Sequence, residues 1–164
     1  MKTLLLATAA LGLALPAFAQ VAGGAGEETA ITLQDVPEAA MAAAQENAMG
    51  VELESVQIDT DGGAETYEFS GSKDDGMTLE VDVLADGTIE EIEEEVSMDA
   101  VPEAVRATLD AEVPGMEPSF VEKSTREDGS QIVYEFEGTH DGQEVDVEVN
   151  EDGSNFIRNE DAAG

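Results

Sequence analysis

Apolar and polar side chains alternate through most of the chain beyond residue 50. Val51 and Leu53, then Val56 and Ile58, alternate with one change of phase, which predicts a strand carrying a bulge. Tyr67 and Phe69 keep a two-residue period, as do Met77, Leu79, Val81 and Val83. Ile132, Tyr134 and Phe136 repeat that pattern, followed by Val145, Val147 and Val149. Turn chemistry separates the runs: Asp61-Gly62-Gly63, Asp75-Gly76, Asp86-Gly87, Asp128-Gly129, Asp141-Gly142 and Asp152-Gly153. Asp-Gly between alternating runs is a strong hairpin signal, because both residues tolerate the left-handed backbone that a tight turn requires. Ile89, Ile92 and Val96 sit at helical spacing, so residues 88–96 read as either strand or helix.

Two segments change period. Pro37 to Ala48 and Pro102 to Glu112 are alanine-rich, and each opens on a proline suited to a helix start. Val36, Ala40 and Ala43 form an apolar stripe on the first; Val101, Val105, Thr108 and Leu109 form one on the second. Gly50 and Pro114-Gly115 are the stop signals.

These elements recur in order. The segment from Thr32 to Ala39 returns as Ser97 to Ala104, Tyr67-Glu68-Phe69-x-Gly71 as Tyr134-Glu135-Phe136-x-Gly138, and Glu80-Val81-Asp82-Val83 as Asp146-Val147-Glu148-Val149. The expected fold is therefore α+β: a tandem repeat of a helix plus an antiparallel β-meander, with the helices on one sheet face. The boundaries read as signal peptide 1–19, flexible leader 20–30, first repeat 31–97, second repeat 98–160 and tail 161–164. One such copy makes a marginal core, so edge-to-edge joining of the sheets or packing of the copies would help.

The Val-Pro-Glu-Ala helix starts (Val36 to Ala39, Val101 to Ala104), the Tyr-Glu-Phe-x-Gly strands and the Asp-Gly hairpins after Val-x-Val carry a resemblance. Over Thr32 to Arg158 the chain resembles the PepSY-like family, whose two-copy form is similar to the β-lactamase inhibitor protein fold. That resemblance implies an exported domain in which helices cover one sheet face and the other face binds protein. It also implies an association with secreted peptidases and their inhibition, with no inhibitory motif to carry over residue by residue.

The N-terminus adds a destination. Lys2 precedes an apolar run from Leu4 to Leu15, Pro16 breaks it, and Ala17-Phe18-Ala19 is the small-x-small pattern of signal-peptidase cleavage. The cut is expected between Ala19 and Gln20. The run is shorter than the ~20 residues needed to span a bilayer. The expected location is periplasmic or secreted, with no stable membrane insertion after cleavage. Cysteine is absent, so stability must come from packing even in an oxidising compartment.

Charge decides which partners fit. All 39 acidic residues follow the signal, against five Lys and Arg; removing Lys2 with the signal takes the net charge from −33 to −34. Nucleic acid is excluded as a partner, since binding it requires neutralising phosphates with Lys and Arg. If Tyr67, Phe69, Leu79, Val81 and Val83 face the helix, their neighbours face away. Those are Glu68, Glu80 and Asp82, with Glu52 and Glu54 added near the bulge; the second half contributes Glu135, Glu137, Glu144, Asp146 and Glu148. Such a face is a candidate surface for an exported protein, a basic peptide or divalent cations, and equally a solvated surface that confers solubility.

Discrete chemistry is absent from the sequence. Asp82, Asp86, Gly87 and Glu93 fit four positions of an EF-hand loop, but Leu84 occupies a ligand position, and a hairpin explains the segment better. The single histidine, His140, reads as an exposed hairpin residue. Tyr67 and Tyr134 read as core. No nucleophile elbow or phosphate loop exists, and carboxylates on the wet side should keep ordinary pKa values. The expectation is a non-enzymatic module without catalytic residues, metal ligands or cofactor. It binds, and modulates or inhibits, a peptidase or other exported protein through the acidic face. A Ca2+-binding or cation-buffering protein is the alternative.

Overall fold

Alternation becomes a ladder in which every strand pairs antiparallel with the next. The computed structural model describes residues 29–60, 64–126 and 129–159. The export segment, the leader to residue 28, the Asp61-Gly62-Gly63 turn, Asp128 and the tail from residue 160 lie outside them. In chain order the elements are β1 (Thr29–Ile31), α1 (Glu38–Asn47), β2 (Leu53–Asp59), β3 (Thr66–Ser72), β4 (Thr78–Leu84) and β5 (Ile89–Glu95). A 3-10 turn (Met98–Ala100) leads to α2 (Glu103–Glu112), β6 (Glu117–Arg126), β7 (Gln131–His140), β8 (Gln143–Asn150) and β9 (Ile157–Asn159). The strands form one nine-stranded sheet in sequence order.

This overturns the expected α+β tandem of helix-plus-meander units. The fold is sheet-dominated, with α1 and α2 attached to a single continuous sheet. The physical reason lies at β5 and β6, which two separate meanders would leave as edges. They pair from Glu91↔Arg126 to Glu95↔Glu122, satisfying the N–H and C=O groups that a bare edge exposes. Residues 88–96 are strand for the same reason: pairing on both sides outweighs the helical spacing of Ile89, Ile92 and Val96. Thr29 and Ala30, read as leader, lie in β1 and pair with β2.

Register places both helices on the same sheet face. Val81 is opposite Ile92, Ile92 opposite Thr125 and Thr125 opposite Ile132, so the side chains of β4 facing α1 share a face with Ile132, Tyr134 and Phe136. Under α1, Ala40, Ala44 and Ala48 pack with Val56, Tyr67, Phe69, Leu79, Val81 and Val83. Alanine at the contact lets that helix approach the sheet closely. Under α2, Val105, Leu109 and Val113 pack with Val121, Tyr134, Phe136, Val145, Val147 and Val149. The two tyrosines are core residues, as expected. Full burial of Phe69 or Phe136 is worth roughly 2–3 kcal/mol in transfer alone.

The bulge anticipated before Val56 is present, with the β2–β3 register shifting between Leu53 and Ser55. A matching shift falls between Pro118 and Phe120 in β6–β7. Gly71 and Gly138 lie beside these two irregularities. A Cβ on either would run into a backbone carbonyl oxygen, that of Glu52 or of Glu117. At the β7–β8 turn, Asp141 and Gly142 both have positive φ (53° and 79°), the backbone expected of Asp-Gly in a two-residue hairpin. His140 is the last residue of β7, opposite Gln143 and half-buried rather than in the turn itself.

Candidate binding site on the helix-free sheet face

The sheet's other face has no helix over it among the described residues, and its rows can be read across the strands. One row runs Gln57, Glu68, Asp82, Glu91, Arg126, Gln131. The next runs Ser70, Glu80, Glu93, Ser124, Val133, Asn150, and a third runs Glu95, Glu122, Glu135, Glu148. Glu137 and Asp146 are paired further along β7 and β8, and Glu144 is opposite Thr139 near the turn. Eight of the ten residues singled out in the sequence therefore share this face, while Glu52 precedes β2 and Glu54 falls in its bulge, unpaired with β3. The eight do not form one cluster: Glu144 is exposed at its margin, whereas Glu135 is buried at its centre.

Solvation differs from expectation. Glu122 is 8% exposed and Glu135 7%, while Ser124 and Val133 beneath them are at 0% and 1%. The centre of the face is thus largely withdrawn from water, not a wet surface. The long side chains around Ser124 cover it: its hydroxyl donates to Oε1 of Glu91, which also accepts from Arg126. A small residue at the middle of the face gives its neighbours room to converge.

Arg126 organises that convergence. It is the only Lys or Arg of the described strands that register places on this face; Lys123 lies on the helix side, bonded to Glu94. Its Nε meets Glu91 Oε1 at 2.6 Å, one terminal nitrogen meets Glu135 Oε1 at 2.5 Å and the other meets Glu148 Oε2 at 3.2 Å. Burial works against the guanidinium's charge, but the hydrogen bond it donates to Glu91 and the charges of Glu91, Glu135 and Glu148 hold its pKa above the usual arginine value. Elsewhere on the face, Gln57 Nε2 donates to Glu68 Oε2 at 2.9 Å, and the backbone N–H and hydroxyl of Thr78 both donate to Glu95.

Burial and crowding shift the remaining acids upward, against the expectation of ordinary values. Glu93 is pushed up to about 10, first by loss of hydration and then by Glu91, Glu122, Asp82 and Glu135. Glu122 rises to about 8, by burial and then the charges of Glu80, Glu135 and Glu137. Glu135 rises to about 7, burial and its acidic neighbours outweighing the opposing pull of Arg126. Asp82 is raised well above the usual carboxylate range by burial, then by Glu68, Glu91 and Glu80. Its Oδ1 is buried without a hydrogen-bond partner. Glu91 and Arg126 were not singled out in the sequence, and Glu93 only through its EF-hand-like spacing, because neither β5 nor β6 carries a clear period.

No family model matches the chain, and no curated protein matches it. Among solved structures, a DUF2874 family protein from Bacteroides ovatus superposes with a TM-score of 0.59 at 14% identity, over 79% of this chain and 94% of its own. At that identity the likeness is one of fold. A second DUF2874 family protein, from Bacteroides vulgatus and described provisionally as periplasmic, reaches a TM-score of 0.35 at 16% identity, over 84% of this chain and 98% of its own. A score that low carries no argument here. The fold likeness is thus to the Bacteroides ovatus DUF2874 protein, and the PepSY-like resemblance has no matching family model behind it.

Proposed function

We propose that the chain is an exported, non-enzymatic binding module whose helix-free sheet face holds a cationic partner, a basic peptide or the basic surface of another exported protein. The carrying observation is a charge imbalance within a partly dehydrated surface. Glu91, Glu135 and Glu148 share one guanidinium, and burial followed by crowding of like charges raises the pKa of Asp82, Glu93, Glu122 and Glu135 on the same face. A partner that brings ammonium or guanidinium groups relieves that repulsion, which gives binding both affinity and long-range attraction. Export is supported by the leader pattern from Lys2 to Ala19. Among the described residues no helix is long and apolar enough to cross a membrane. The PepSY-like resemblance favours an exported peptidase as the protein modulated.

The test uses the mature chain as bait in the exported fraction, beside a variant with Glu80, Asp82, Asp146 and Glu148 changed to Lys. The expected outcome is capture of basic proteins by the native chain and their loss with the variant. Identical captured sets would remove the acidic face as the binding surface. Titration with oligolysine gives the same answer with a defined ligand: saturable binding, weakened about tenfold or more by screening between ~50 and ~300 mM NaCl.

A further inference from the structure

The centre of the helix-free face gathers more carboxyl oxygens than its guanidinium can serve. Glu91, Glu93 and Glu135 each place one oxygen within 4.8 Å of the other two. A separate observation points the same way. Asp82, directly opposite Glu91 across β4–β5, has an oxygen sealed from solvent with no hydrogen-bond partner. A carboxylate oxygen left bare in that position is costly unless a proton or a metal ion meets it.

We propose that Asp82, Glu91, Glu93 and Glu135 bind one hard divalent cation of the Ca2+ class above Ser124. The donors are all carboxylate oxygens, which suit Ca2+ and not the nitrogen and sulfur preferences of zinc or copper. Two oxygens on one Ca2+ at 2.3–2.6 Å stand at most roughly 5 Å apart, so the spacing of Glu91, Glu93 and Glu135 already fits a shared ion, which Asp82 would join by turning its bare oxygen toward it. Each carboxylate has two oxygens, so Glu91 and Glu135 serve Arg126 with one and the ion with the other. The ion would neutralise the row that Arg126 reaches only from one side. This inference rests on the reading of the face as the binding surface and names what occupies its centre.

The test is calorimetric titration and thermal unfolding of the mature chain at pH 8, after EDTA treatment and dialysis, with Ca2+ compared to NaCl at equal ionic strength. The variants are Glu93→Gln and Asp82→Asn, with Asp110→Asn on the outer side of α2 as a charge-matched control. Expected are one Ca2+ per chain and a Tm rise of about 5 °C at millimolar Ca2+, unchanged in the control and lost in both site variants. Equal effects of Ca2+ and NaCl, or an undiminished response in Glu93→Gln, would overturn the site. Glu93→Gln removes a crowded charge, so it should fold at least as well as the native chain in EDTA, and circular dichroism checks this. Oligolysine binding measured in EDTA keeps the two readings apart: its persistence without a Ca2+ response discards the ion alone, and its absence beside a stoichiometric Ca2+ response discards the cationic partner.

Discussion

Arg126 is worth more to this molecule than a surface ion pair. Exposed pairs contribute about 0–1 kcal/mol, whereas breaking a buried one costs about 3–5 kcal/mol. With Arg126 at 29% exposure and Glu135 at 8%, the network lies between these limits. Arg126→Met should therefore cost about 2 kcal/mol at pH 8, where Glu91, Glu135 and Glu148 lose their counterion. At pH 5 Glu135, pushed up to about 7 mainly by burial, holds a proton and needs the arginine less, so the penalty should shrink. Urea unfolding at the two pH values checks this, and an equal penalty at both would mean that packing of the arginine stem, not charge, sets the effect. The outward direction of Glu68, Glu80, Asp82, Glu135, Glu137, Asp146 and Glu148 was legible because strand period fixes side. Their burial was not, because the sequence does not show that the third row of one half continues through Glu122 into the other.

At the scale of elements, the sequence repeats mark where backbone closes on backbone. Gly71 and Gly138 close the two Tyr-Glu-Phe-x-Gly motifs within β3 and β7, and each lies against the chain entering the preceding bulge. Gly71→Ala and Gly138→Ala should each cost about 1–3 kcal/mol, since the neighbour that must move is a main-chain carbonyl. Chemical denaturation with an unchanged m-value is the expected readout. A cost below about 0.5 kcal/mol would show that the bulge relaxes freely. β2, β3, β4, β7 and β8 were read from alternation, yet β6 escaped notice. Its helix-side positions are Val121, Lys123 and Thr125 and its opposite ones Phe120, Glu122, Ser124 and Arg126, so neither side is uniformly apolar. The EF-hand-like spacing of Asp82 and Glu93 has a different cause: a hairpin turning at Asp86-Gly87 returns both residues to one face. That hairpin, not a calcium loop, brings them beside Glu91.

At the scale of the whole molecule, joining the halves through β5 and β6 concentrates acid where a single sheet has its middle. This inverts the usual response to pH. Glu93, Glu122 and Glu135 titrate at about 10, 8 and 7 in the folded chain, and Asp82 is raised as well. In the unfolded chain such groups titrate at roughly 4. Between those values the folded chain binds more protons than the unfolded one, so stability falls as pH rises. The contribution is full below the unfolded carboxylate range and is lost progressively as pH passes through about 7, 8 and 10. Asp86 and Asp152 act oppositely. Hydrogen bonds from Thr88 and Ser154 hold them below the usual value, so their small contribution disappears on acidification. These two are exposed turn residues, and the central acids should dominate. In EDTA at low salt, stability is expected to drop between pH 5 and 9 by on the order of 3 kcal/mol, less than independent titrations would add up to, because each acid is raised partly by the others. Calorimetric Tm across that range is the measurement, and a flat or rising profile would mean that the acids at the centre of the sheet are hydrated and fully charged. Saturating Ca2+ should flatten the same profile from its alkaline end, since an ion held by Asp82, Glu91, Glu93 and Glu135 replaces the protons that the folded chain otherwise needs.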